Sequence, residues 1–191
     1  MAPPSWRAHL PTVSETSLRA ALGHRGGRDP WPGMEALVAL QRLGAVRVER
    51  PRAVGAGRGQ PVLTSHALRW KDVDIDIDTF VDRTQTAEAT LTLPSWDELV
   101  SSSWCEDDVW ELFDTFADAT STRAAVISDG EASHPQLLDP SLDASLDVDL
   151  ELVLRRHVGL LVRAGVTVQV PPLLGVVYRV LPRSNLAVIL H

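Results

Sequence analysis

Glu106-Asp-Asp-Val-Trp-Glu-Leu-Phe-Asp-Thr-Phe-Ala-Asp-Ala-Thr120 is the stretch around which the rest of the chain can be read. Val109, Leu112, Phe113, Phe116 and Thr120 recur at the three-and-four spacing that stacks side chains on one face of a helix. Asp107, Glu111, Asp114 and Asp118 recur at the same spacing on the opposite face. The pattern predicts an amphipathic helix with one apolar and one wholly acidic stripe, and the apolar stripe requires another layer to cover it.

The flanks of this helix read as strands. Lys71 to Asp78 alternates strictly, with Val73, Ile75 and Ile77 on one side and Asp72, Asp74, Asp76 and Asp78 on the other, as a half-buried strand does. Thr86–Leu93 alternates again, Pro94-Ser95 ends it, and Trp96–Trp104 reads as a short helix. After the acidic helix, Arg123–Ser128 is a short apolar strand closed by the turn signal Asp129-Gly130. Residues 147–164 fit both periods. The ending Arg163-Ala-Gly165, before Val166–Val170, favours a helix stopped by glycine and continued as a strand. Leu174–Leu181 and Leu186–Leu190, joined by Pro182-Arg-Ser-Asn185, predict a terminal hairpin.

Upstream, Ser14 precedes a helical pattern through Leu18, Ala21 and Leu22 that Gly23 ends, and a second helix runs from about Met34 to Leu43 with Gly44 as its stop. Ala45–Glu49 and Val62–Ser65 read as strands around a glycine-rich turn at Arg50–Gln60. Helix, helix, strand, loop and strand is a winged-helix-like order. The expectation for the whole is therefore an α+β protein. A mainly antiparallel sheet with helices on one face forms from residues 71–191, preceded by a helix-helix-hairpin subdomain over residues 1–70.

Charge divides the chain at the same place. Residues 1–70 carry ten arginines against four carboxylates, while residues 71–191 carry eight basic residues against twenty-one acids, for a net −7 overall. With 45% hydrophobic and 23% charged residues in 191, the chain can bury a real core. No apolar run approaches a membrane span, and the start has no signal-peptide pattern, so a cytoplasmic location is expected. One cysteine, Cys105, excludes an internal disulfide and any zinc site built on paired cysteines.

No motif specifies a chemistry. Same-face aspartates on a strand stand roughly 6.5–7 Å apart, too far for successive carboxylates to share one cation, and a calcium loop begun at Asp72 would place Ile77 where glycine is needed and Arg83 where the bidentate glutamate belongs. No metal and no cofactor is expected. Cys105 has no adjacent base and reads as a small half-buried residue, His157 as a packed histidine, and Asp129 and Glu131 as turn residues. No catalytic residue is assigned. The second helix would offer DNA only Glu35, Ala36, Ala39 and Arg42, one arginine being too few for a recognition helix, although Arg50, Arg52 and Arg58 would suit phosphates.

The order of Thr86–Leu93, Glu106–Thr120, Arg123–Ser128 with Asp129-Gly-Glu131, and Tyr178-Arg-Val-Leu-Pro-Arg-Ser-Asn-Leu-Ala-Val188 resembles, in layout and charge, small bacterial immunity proteins of polymorphic toxin systems. The resemblance covers roughly the C-terminal half. It implies a non-enzymatic protein that neutralises a cognate toxin by covering its active site. The partner would be basic, and Asp107, Glu111, Asp114, Asp118, Asp74 and Asp76 are the residues expected to meet it. A winged-helix DNA-binding regulator with an acidic C-terminal domain is the alternative, and a small hydrolase the third reading.

Overall fold

The computed structural model describes residues 15–24, 32–48, 52–54, 62–81, 86–94, 96–102, 104–122, 124–129, 159–163 and 176–190. The described elements are β1 (Glu15–His24), α1 (Pro32–Arg42), β2 (Val46–Arg47), β3 (Arg52–Val54), β4 (Val62–Trp70), β5 (Val73–Val81) and β6 (Thr86–Pro94), followed by α2 (Trp96–Ser101), α3 (Glu106–Ala119), β7 (Ala124–Asp129), β8 (Gly159–Arg163), β9 (Val176–Val180) and β10 (Leu186–Leu190). The strands form one sheet in the order β2-β4-β5-β6-β1-β7-β8-β10-β9, with β3 also paired to β4. Every pairing is antiparallel. The protein is α+β and dominated by its sheet. Among the described residues no helix is long and apolar enough to cross a membrane.

Alternation decides the helix-covered face. Register aligns Leu68 with Ile75 and Trp70 with Val73, sets Ile77 beside Leu91, and carries the same face through Ala125, Leu161 and Val188. These residues are buried in one cluster with Ala36, Leu37 and Leu40 of α1 and with Val109, Trp110, Leu112, Phe113 and Phe116 of α3. Each fully buried Val, Leu, Ile or Phe among them stabilises the fold by about 1.5–3 kcal/mol in transfer terms. The apolar stripe expected of α3 is thus its core face, with Trp110 added. α1 lies against α3 and over β5 and β6. It ends as expected at Gly44, whose φ of 99° suits a residue without a Cβ, and the Ala45 N–H closes the end on the Leu40 carbonyl at 3.0 Å.

The opposite face differs along the sheet. On β7, β8 and β10 it is apolar and buried, with Val126, Leu160, Ala187 and Ile189 each at most 1% exposed. These strands read as continuous apolar runs, as strands covered on both sides do. On β5 the same face carries Asp74, Asp76 and Asp78.

The hairpin β4–β5 turns on Lys71 and Asp72, with φ of 47° and 62°. Two consecutive left-handed residues match the right-handed twist of the flanking strands. The expected strand therefore starts at Val73, and the strand expected over Val62–Ser65 runs on to Trp70. The Trp70 indole N–H donates to the Leu43 carbonyl at 3.0 Å and the Trp104 indole N–H to the Lys71 carbonyl at 3.1 Å. The two rings meet edge to face at 5.0 Å. These contacts tie the turn to the end of α1 and to the approach to α3.

Several expectations are corrected. The helix read after Ser14 is strand β1, paired with β6 on one side and β7 on the other. Its Leu and Ala residues fit a helical period in isolation, but Leu18 stands in register with both Leu91 and Ile127, and two neighbouring strands override local propensity. Without that helix there is no winged-helix order. Nor do residues 1–70 stand apart: the boundary at residue 70 falls at the β4–β5 turn, β1 lies inside the sheet, and α1 shares the core with α3. Within the helix expected over 147–164, residues 159–163 are strand β8, held between β7 and β10. Residues 147–158 and the strand expected at 166–170 lie outside the described residues. In the turn expected at 50–60, Arg52–Val54 pairs with β4 as β3, and residues 55–60 lie outside the described residues.

Candidate functional site

The six acidic residues expected to meet a partner fall on two sides of the sheet. Asp107, Glu111, Asp114 and Asp118 belong to α3, in the helix layer, and Asp74 and Asp76 to the face of β5 turned away from that layer.

α3 begins at an extended Cys105, whose backbone N–H donates to the Asp108 carboxylate at 2.8 Å. Glu106, Asp107 and Asp108 occupy its first turn, where the helix dipole favours negative charge. Asp108 also pairs with the Lys71 ammonium, which stands over the Trp70 ring. Burial acts to raise the pKa of Asp108. The Cys105 and Lys71 hydrogen bonds outweigh it and hold the carboxyl below its usual range.

The acidic stripe itself is largely turned to the terminal hairpin. Asp107, with its side chain 83% exposed, pairs with the Arg179 guanidinium at 3.3 Å, and Glu111 pairs with Arg183 at 3.4 Å. Arg179 also stands 5.8 Å from the Trp110 ring centroid. Asp114 departs from the surface reading altogether. It is 3% exposed, and its carboxylate accepts the Arg183 N–H at 2.9 Å, the Ser184 N–H at 2.8 Å and the Ser184 hydroxyl at 2.7 Å. Asp114 is thus a structural anchor for the β9–β10 turn and is closed to a partner. Asp118 is exposed near the helix end, where negative charge is unfavourable.

On β5, Asp74 faces Arg69 across the β4–β5 ladder, with guanidinium-to-carboxylate distances of 2.7 and 3.1 Å. That hydrogen-bonded pair lowers the Asp74 pKa and raises that of Arg69. Asp76 is exposed, and Asp78 accepts a hydrogen bond from Ser65. Beside these carboxylates stand exposed apolar side chains. Val46 is in register with Arg69, Leu63 with Phe80, and Val48 donates its N–H to the Ala67 carbonyl, which places all three on the face of Asp74 and Asp76. Val46, Val48 and Leu63 are 66%, 48% and 42% exposed.

The remaining candidates are dispersed. Among the described residues no three His, Cys, Asp or Glu side chains are grouped to hold a metal. Cys105 is exposed, not half-buried as expected, because it caps α3 from outside the core. Asp129 ends β7 in register with Thr16, and Glu131 and His157 lie outside the described residues. One residue was missed. His66 is buried with Thr64 and Thr79, and its Nδ1 has no hydrogen-bond partner among the described residues. Extending the alternation of Val62–Ser65 to Trp70 would have placed His66 on the core face beside Leu68. Comparison with protein-family models, curated proteins and solved structures finds no match for this chain.

Proposed function

We propose that this protein acts by binding another protein, as a cytoplasmic, non-enzymatic immunity-type protein that neutralises a basic toxin. The observation that carries this reading is the face of β2, β4 and β5 on which no described helix lies. There Val46, Val48 and Leu63 stand exposed beside Asp74 and Asp76. Isolated exposed valines are ordinary, but three on one sheet face beside charged groups form the apolar centre and polar rim of a protein interface. A net charge of −7, with Asp107 and Asp118 exposed on α3, favours a basic partner and faster encounter at low salt.

The test is co-expression with the product of the neighbouring gene, scored by relief of its toxicity and by association rate at several salt concentrations. Val46→Lys and Asp74→Lys/Asp76→Lys should weaken protection and slow association several-fold, and Asp118→Lys should act on rate alone. A complex indifferent to all of these changes would place the interface elsewhere. Absence of any complex, combined with a salt-sensitive DNA band shift, would favour a nucleic-acid role.

A further inference from the structure

His66 lies mid-strand on β4, on the core face between Thr64 and Leu68 and opposite Ile77 of β5. It is 3% exposed, and among the described residues no group hydrogen-bonds its Nδ1. A neutral imidazole tolerates one bare nitrogen at a modest cost. The imidazolium has two N–H donors and a charge to satisfy, and here one donor would meet no acceptor.

The charged surroundings offer little relief. Arg47 of β2 repels a cation at this position, while Asp78 of β5 attracts it from the opposite face of the sheet, where it is already bonded to Ser65. α1, the helix over this half of the sheet, turns Ala36, Leu37 and Leu40 inward, and its Glu35 and Arg42 are exposed. Glu88 of β6 is in register with Phe80. Burial first, and Arg47 second, push the His66 pKa below its ordinary value, against the weaker pull of Asp78.

β4 carries β2 and β3 on one side and β5 on the other, so it holds this end of the sheet together. We infer that His66 makes that end acid-labile: the ring takes up a proton only when β4 swings its core face into water, so mild acid opens the β2–β3–β4 edge as a local unit. The remaining strands, paired around β1, stay closed. The same edge carries Val46, Val48 and Leu63, so acid would dismantle the exposed face described above, although the inference does not depend on any partner.

The sign and size follow from proton linkage. A histidine with a lowered folded pKa stabilises the closed form above the unfolded value of about 6.5, and that stability is lost as pH falls from there toward the folded pKa. If the closed form takes up no proton, the open population grows about tenfold between pH 7.5 and pH 5.5. Amide hydrogen exchange on the full chain, corrected for intrinsic rates, should show that loss of protection in β2, β3 and β4 but not in β1 and β7. His66→Leu should abolish the difference. Nuclear magnetic resonance titration of the His66 ring in the unaltered protein provides a second measurement that needs no variant. A ring that titrates at or above 6.5 without loss of β4 protection would overturn the inference, as would an equal pH dependence in folded His66→Leu protein.

Discussion

Asp114 separates the surface reading of the acidic stripe from the structural one. Its carboxylate holds three donors of the β9–β10 turn, at 2.7, 2.8 and 2.9 Å, and is almost wholly buried. A hydrogen bond to a charged acceptor contributes about 1.5–3 kcal/mol, and an unpaired buried donor costs about 1–3 kcal/mol. Asp114→Ala removes all three bonds at once. Water can reach part of the emptied site, since the turn is half-exposed, so a net loss of about 3–4 kcal/mol is expected rather than the full sum. Asp114→Asn keeps one acceptor oxygen but turns an amide N–H toward the turn, and about half that loss is expected. Ser184→Ala deletes only the hydroxyl bond and should cost about 1 kcal/mol.

Urea unfolding measures the series. With a slope of about 2 kcal/mol per molar, Asp114→Ala should lower the midpoint by about 1.5–2 M without changing the slope. Asp118→Ala, four residues on at an exposed position, should shift it by less than about 0.5 kcal/mol. Equal effects of Asp114→Ala and Asp118→Ala would refute the anchoring role. So would an Asp114→Ala loss no larger than that of Ser184→Ala. The anchor also implies that Asp114→Lys destabilises the fold, whereas Asp118→Lys should be neutral or slightly favourable.

Three further outcomes are expected. Asp108→Asn should cost about 1 kcal/mol at pH 7 by weakening the cap of α3; because the native carboxyl titrates below its ordinary value, its stabilisation is present above about pH 3.9 and lost as pH falls through the folded pKa, so the difference between the unfolding curves of the two proteins should shrink as pH falls below about 3.9. Asp72→Gly should raise the unfolding free energy by about 0.5 kcal/mol, since φ of 62° suits glycine in a twist-matched turn, and Asp72→Val should lower it by more than about 1 kcal/mol, both read by urea unfolding. Cys105, exposed at the helix cap, should react with a thiol reagent in the native protein, and Cys105→Ser should leave stability within about 0.5 kcal/mol and any binding unchanged.

What was legible in the sequence had a local cause. β5 could be read because Val73, Ile75 and Ile77 face one layer and the intervening aspartates face another, and α3 because Val109, Leu112, Phe113 and Phe116 keep a regular three-and-four spacing along its apolar stripe. β1 could not, because its partners begin at Thr86 and Ala124, far along the chain, and its leucine and alanines fit either period until those strands are in place. β8 failed for the same reason, its register being set by Ala124–Ile127 and by β10. The acidic stripe was read correctly as spacing and incompletely as chemistry. Asp114 and Asp118 have equivalent positions on a helical wheel, and the donors that distinguish them lie about seventy residues downstream.

The stripe's composition then has a structural cause as well as any functional one. No basic residue within α3 offsets Asp107, Glu111 and Asp114, and on the helix alone such neighbours repel by about 0.2–0.5 kcal/mol each. The terminal hairpin supplies what the helix lacks: Arg179 and Arg183 meet Asp107 and Glu111, and the turn amides meet Asp114. The two exposed ion pairs contribute little, about 0–1 kcal/mol each, so most of this docking rests on the buried carboxylate. The hairpin occupies the acidic side of α3, so a partner approaching the helix layer meets carboxylates already engaged by Arg179 and Arg183. Among the described residues, the face of β2, β4 and β5 has no such cover over Val46, Val48 and Leu63, and apolar side chains there gain from burial whatever the state of the neighbouring charges. If the protein binds a partner as proposed, this contrast makes the sheet face, rather than the helical stripe, the stronger candidate for the anchoring contact, leaving Asp107 and Asp118 to influence how fast the complex forms.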